Sequence, residues 1–212
     1  MNIRARRDKE KEDMRQKVLL AATKIIISEG YENLSMRKIA KEIEYTPTTL
    51  YTYYKDKMEI VNEISYEVYK KIVDSVRANL YAIKDLPVDK QLEKLLKVFI
   101  FTATENAEMA KALMKSGSKA IFGPSERNES EEESGLLFLQ KLLLKGQQEQ
   151  TIRKLDENAA WMIITALIGF SLNAIENKIY NQENWFYLVD IYVEILINGL
   201  KKFAKQTFNN QS

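Results

Sequence analysis

The side chains best placed for chemistry lie between Leu34 and Lys57: Arg37, Pro47, Thr48, Thr49, Tyr51, Thr52, Tyr53 and Lys57. They supply hydroxyls, a guanidinium and an ammonium, groups that grip polar edges and phosphates. The stretch around them reads as two short helices joined by a tight turn, followed by the start of a third. That is the layout of a helix-turn-helix, whose second helix enters a DNA major groove. It takes up a small part of the chain, so the remainder is expected to switch it.

Composition narrows the alternatives. The chain has 212 residues, 45% of them apolar, with three prolines and seven glycines. A sizeable core and long helices follow, and alternating β-branched runs are scarce, so the expected fold is all-α. Cysteine and histidine are both absent, which excludes disulfides, thiolate nucleophiles, imidazole bases and ordinary zinc sites. No cofactor and no metal is expected. No nucleophile elbow or phosphate loop stands in the sequence, so an enzyme is not expected. No run of about 18 consecutive apolar residues is present and no secretory signal opens the chain, so a cytoplasmic protein without a membrane segment is expected. Residues 1–60 carry a net charge of +3 and the rest −1, the sign expected if the N-terminal part meets phosphate.

About nine helices position these residues. Met14, Val18, Ala21, Ala22, Ile25 and Ile26 make one buried stripe over 13–29, and Gly30 follows as a left-handed stop. Residues 1–11 read as a polar basic terminus, either solvated or an arm that touches DNA. Ser35 caps the second helix, with Ile39, Ala40 and Ile43 inward. Thr46 and Pro47 start a third over 46–53, with Leu50 and Tyr54 packed inside. Asp56 and Glu59 have capping-box spacing at the head of a long fourth helix, to about 80. Further helices are expected over 88–104, 106–115, 131–148, 156–180 (capped by Asp156) and 184–205. The last two are apolar on more than one face, as a shared or central helix would be. The chain is expected to divide into residues 1–56, a DNA-binding domain with a basic arm, and residues 57–212, a larger helical domain.

Val18-Leu-Leu-Ala-Ala22, Glu29-Gly-Tyr31, Leu34-Ser-Met-Arg-Lys-Ile-Ala40 and Thr49-Leu-Tyr-Thr-Tyr-Tyr-Lys-Asp-Lys57 together resemble the DNA-binding domain of the tetracycline-repressor (TetR) family of bacterial regulators. The resemblance implies a recognition helix over 46–53, with Pro47, Thr48, Tyr51 and Thr52 reaching base edges. Thr hydroxyls can donate or accept there, and Thr and Pro carbons can meet thymine methyls. Arg37 matches a base-reading position. Tyr53 and Lys57 match phosphate-contacting positions, joined by Thr49. One departure stands in the turn, where Glu44 replaces the usual Gly and Tyr45 follows it. A non-Gly residue at positive φ costs about 1 kcal/mol, and the turn is expected to form nonetheless.

The resemblance further implies a ligand-responsive repressor that binds a two-fold operator on double-stranded DNA as a homodimer. Its effector would be a small hydrophobic or cationic compound held in a C-terminal pocket. Candidate lining residues are Phe101, Glu105, Met109, Met114, Phe122, Trp161 and Thr165, with Glu105 either the partner for a cation or a surface residue. Candidate dimer residues are Phe170, Ile175, Ile191, Ile195 and Asn198. The alternative is a DNA-binding protein of the same fold controlled by a protein partner without a small ligand.

Overall fold

The computed structural model describes residues 3–115 and 135–201. Among them are nine α-helices: α1 Ile3–Glu29, α2 Met36–Glu42, α3 Pro47–Leu50, α4 Lys57–Ile83, α5 Val88–Glu105, α6 Ala107–Lys115, α7 Gly135–Gln148, α8 Ala159–Glu176 and α9 Trp185–Leu200. Two single 3-10 turns, Tyr31–Asn33 and Ile179–Asn181, complete them, and the described residues contain no strand.

Helix α1 starts ten residues before the apolar stripe does, so residues 3–11 are helical and not an irregular arm. Periodicity reports burial, and residues 4–11 are all exposed. The helix there rests on good helix formers and exposed i,i+4 pairs, among them Arg6 Nε to Glu10 Oε1 at 2.8 Å. Gly30 has φ 86° and ψ 154°, an extended conformation open to glycine and not the left-handed helical stop expected.

The caps follow the sequence at three starts. Ser35 accepts from the Lys38 amide at 3.3 Å, Thr46 from Thr49 at 3.2 Å, and Asp56 from Glu59 at 3.0 Å. Glu59 returns its carboxylate to the Lys55 amide at 2.6 Å, one residue outside the usual capping box. At α8 the expected cap differs. Asp156 accepts from both the amide and the side-chain Nδ2 of Asn158 at 2.9 Å in the preceding turn, and Asn158 heads the helix without a side-chain capping bond. Helix α8 ends at Glu176 and α9 at Leu200, both short of the expected ends. At the latter end the segment after α7 takes over orphan carbonyls of α9: the Arg153 amide donates to Leu200 O at 2.9 Å and Arg153 Nε to Gly199 O at 2.8 Å.

Three apolar clusters hold the helices. The first joins α1, α2 and α3 to the start of α4 through Val18, Ile26, Ile39, Leu50, Ile60 and Val61, with Ala112 of α6 included. The largest joins α5, α7, α8 and α9 around Leu92, Leu96, Ile100, Leu143, Leu167, Val189 and Val193. A small third cluster, Val68, Ile72, Ala103, Ala110, Leu113 and Ile175, bridges α4, α5, α6 and α8. Helix α4 thus contributes to all three clusters, to the largest through Ile83.

Helix α8 is long and apolar enough to cross a membrane by length and composition, although Thr165, Ser171 and Asn173 interrupt its apolar residues. One of its faces packs in the protein through Ala160, Ile163, Ile164, Leu167, Ala174 and Ile175.

Candidate nucleic-acid interface and effector cavity

The turn between α2 and α3 closes with Glu44 at φ 60°. Its amide donates to Lys41 O at 3.2 Å and that of Tyr45 to Ala40 O at 2.9 Å. The left-handed conformation that Gly would adopt freely is therefore imposed on Glu44, while Tyr45 is exposed beside it. Helix α3 is four residues long, and single turns carry the chain on, with the Tyr53 and Tyr54 amides bonded to Leu50 O at 2.9 and 3.0 Å. The 46–53 segment is thus helical in its first half only.

Leu50 and Tyr54 are buried, which turns the opposite side of the segment to solvent. Arg37, Thr48, Tyr51 and Thr52 are exposed, and Pro47, Thr49, Tyr53 and Lys57 are half-buried. The Thr49 hydroxyl lies 3.0 Å from that of Thr46, and Thr52 Oγ1 donates to Thr49 O at 2.7 Å. Lys57, the first residue of α4, holds its Nζ 5.1 Å from the centroid of the Tyr31 ring.

One residue behind this surface was missed in the sequence. Arg15 of α1 donates to Tyr53 O at 3.3 Å, lies 4.4 Å from the Tyr54 ring centroid, and pairs with Glu63 of α4. It ties the end of the α3 segment to two long helices. Burial, with the Glu63 carboxylate alongside, holds the Tyr54 phenol well above its usual range. Arg15 follows Met14 on α1 and lies outside the apolar stripe, so nothing in the sequence distinguishes it from a solvated charge. Two exposed pairs, Lys24–Glu42 and Lys38–Glu29, both at 2.5 Å, fasten α1 to α2.

A cavity of about 840 Å3, counting the part open to solvent, lies among α4, α5, α6, α7 and α8. Its walls are Ile72, Val73 and Val76 of α4, Leu92, Leu95, Leu96 and Phe99 of α5, Leu113 and Met114 of α6, Leu136, Phe138 and Leu139 of α7, and Ile164, Leu167 and Ile168 of α8. Tyr69 and Arg77 of α4 are the polar side chains among its lining.

Of the residues expected for an effector site, Met114 lines this cavity. Phe101 packs the other way, toward α9, with Trp185 at 6.5 Å and Phe186 at 5.2 Å between centroids. Met109 lies half-buried against the first and third clusters. Glu105 ends α5 in solvent, and Trp161 and Thr165 point outward from α8. Phe122 lies outside the described residues. Two apolar faces on α8 are equivalent in sequence, and only packing tells which one looks inward.

The residues expected at a dimer seam also separate. Ile195 is 64% exposed, Ile191 and Asn198 are exposed, and Phe170 is half-buried, stacked on Tyr192 at 4.0 Å and on Trp185 at 5.7 Å. Ile175 is core within the protomer, in the third cluster. The exposed outer faces of α8 and α9 also carry Trp161, Met162, Phe186 and Tyr187.

Helix α6 stands between the first apolar cluster and the cavity. Ala112 is buried in the first cluster, while the next two residues, Leu113 and Met114, face the cavity. Lys115 closes the helix with Nζ 2.8 Å from both Glu32 and Glu176. These two carboxylates, Glu176 foremost, hold the Lys115 ammonium above its usual range, and Lys115 holds the Glu32 carboxyl below its own.

Residues 18–64 match the sequence profile described as bacterial regulatory proteins, tetR family. An HTH-type transcriptional regulator of Staphylococcus aureus (strain USA300) is 35% identical over 77 residues, 36% of this chain and 40% of that one. The chain spans half or less of the length of the curated relatives it matches. Among solved structures, a TetR family transcription regulator from Marinobacter aquaeolei VT8 superposes with a TM-score of 0.62 at 18% identity, covering 94% of this chain and 100% of that one. RolR in complex with resorcinol superposes with a TM-score of 0.67 at 12% identity, covering 91% and 90%. At these identities the structural likeness is one of fold.

Proposed function

By its N-terminal domain this chain belongs to the tetR family of bacterial transcriptional regulators, and from that premise we propose that it is a repressor released from its operator by an apolar small molecule. Residues 1–56 serve as the DNA-binding domain and 57–212 as the effector-binding and dimerisation domain. Arg37, Pro47, Thr48, Tyr51 and Thr52 read base edges, Arg37 through guanine O6 and N7. Thr49, Tyr53 and Lys57 hold phosphates and set the register. A segment as short as α3 reads few base pairs, so two copies act together on a two-fold site. The outer apolar faces of α8 and α9, with Ile191, Ile195, Met162 and Tyr187, form the joint between them.

The observation that carries this reading is the continuity of α4. It begins at Lys57, beside the reading surface, and lines the cavity from Tyr69 to Arg77. A ligand that fits the cavity better in one position of α4 than in another shifts the separation of the two reading surfaces, by its difference in affinity for those states. A collapsed C-terminal core would have favoured control by a protein partner; the cavity favours a small effector.

The test is duplex binding by the purified chain with and without apolar compounds, alongside its mass in solution. Wild type is expected to sediment as a dimer and Ile195→Asp as a monomer with much weakened operator binding. A monomeric wild type that still binds a two-fold site at full affinity would refute the assembly.

A further inference from the structure

We propose that the first turns of α1 are a second DNA contact: a rigid basic helix that holds phosphates of the duplex beside the bases read by the 46–53 segment. This rests on the DNA-binding role of that segment and adds a surface outside residues 18–64, the part of the chain that matches the family profile. Helix α1 is continuous from Ile3 to Glu29, and Val18, Ala21, Ala22, Ile25 and Ile26 mark its buried side. Seven residues make about two turns, so positions seven apart share a side. Arg7 therefore lies in line with Met14, and Lys11 in line with Val18. The side of α1 that seats on the first cluster is thus continued by two bases where residues 4–11 run out into solvent. The nearest acids, Asp8 and Glu10, sit about 80° to either side of their midline. Glu10 is engaged by Arg6 at 2.8 Å, and Glu12, further round, accepts from Gln16 at 3.1 Å. Residues 3–11 hold five Lys or Arg against two acids, a net +3.

The inner end of this row reaches the reading surface. Arg15, one turn after Lys11, donates to Tyr53 O at 3.3 Å and lies 4.4 Å from the Tyr54 ring centroid. Tyr53 is the residue proposed to hold phosphate at the end of the α3 segment. Lys11 and Arg7 stand about 6 and 12 Å further along the axis of α1. Phosphates of one strand follow one another by about 3.4 Å of duplex axis, so two bases one turn apart can each meet one. The helical form decides what kind of contact this is. A helix about 10–12 Å across does not enter a minor groove about 6 Å wide, so the overhang meets backbone and not base edges. It adds affinity and salt dependence without adding sequence preference. Because these turns are already helical, binding need not order a flexible arm.

A salt series on the purified full chain tests it, with operator and scrambled duplexes of equal length. The variants are Arg7→Gln with Lys11→Gln, on the inner side, and Arg6→Gln with Lys9→Gln, which removes the same charge from the outer side. The inner pair should lower the slope of log affinity against log salt by about 2, near 0.9 for each phosphate released, on both duplexes and with the preference for operator unchanged. The outer pair should keep a slope close to that of wild type. An unchanged slope in the inner pair would overturn the contact, and so would an equal drop in the outer pair, which would report net charge and no particular side. Duplex length gives a second readout that needs no folding assumption about a variant. Trimming base pairs from the ends of the operator should weaken wild type before it weakens the inner pair, and equal sensitivity to trimming would overturn the proposal while leaving the reading surface in place. A wild type that binds neither duplex would overturn the DNA-binding role on which the contact rests.

Discussion

Lys115 Nζ, at the last residue of α6, stands 2.8 Å from Glu32 Oε1, a residue 83 positions earlier in the chain. The same nitrogen is 2.8 Å from Glu176 at the end of α8. One ammonium thus joins the turn after α1 to the helix that walls the cavity. Lys115→Ala should leave the fold and basal operator binding nearly intact, because exposed pairs contribute little to stability. It should reduce the effect of effector on operator affinity. Titration of DNA with and without effector would measure the ratio, and an unchanged ratio would remove the ion pair from the coupling path. Acid should act in the same direction. Lys115 lowers the Glu32 carboxyl below its usual range, so the contact is fully formed above that range and is lost as pH falls through the lowered value.

Glu44→Gly should stabilise the protein. Glu44 holds φ 60° in the α2–α3 turn, and Gly removes the strain of a Cβ there. The gain is at most about 1 kcal/mol, or roughly 2–4 °C in Tm, reduced by the greater freedom of Gly in the unfolded chain. A thermal melt checks it. A lower Tm would mean that the Glu44 side chain contributes more than its backbone costs.

The elements of this fold were legible in the sequence where burial and capping coincide. Ser35, Thr46 and Asp56 cap as their positions suggest, and Leu50 and Tyr54 bury as their spacing requires. The start of α1 was not legible, because an exposed helix of Arg, Lys and Glu has no apolar period. The cavity was not legible either. Trp161 and Thr165 share α8 with Ile164 and Ile168, and the sequence marks both faces as apolar. Arg15 was hidden for a related reason: its partners Tyr53, Tyr54 and Glu63 are brought to it by tertiary packing alone.

Arg15→Met should cost stability and reading together. The Arg15 and Glu63 side chains are 21% and 14% exposed, so removing Arg15 takes the opposite charge from a mostly buried carboxylate. The loss should be roughly 2–3 kcal/mol, below the range for a fully buried pair. Urea denaturation measures it. If Arg15 positions the α3 segment, the remaining folded protein should lose more affinity for its operator than for unrelated duplex. Equal losses on both DNAs would leave Arg15 a purely stabilising residue.

Lys57→Ala and Arg37→Ala should fail in different ways. Lys57 at the start of α4 is proposed to hold phosphate, so its loss should weaken binding to every duplex and reduce the salt slope by about 1. Arg37 is proposed to read a base, so its loss should cost about 1–3 kcal/mol on the operator and relax preference at one position per half-site. A salt series on operator and scrambled duplexes separates the two. Identical slopes for wild type and Lys57→Ala would take Lys57 out of the interface.

The most direct measurement is binding of the purified chain to the DNA upstream of its own gene, against a scrambled duplex, over a range of salt and with apolar small molecules added or withheld. The expected result is two protomers on one short duplex, at least about a thousandfold preference over scrambled DNA, and release by the added compound. Equal, salt-sensitive binding to both duplexes, unmoved by any apolar compound, would contradict the account.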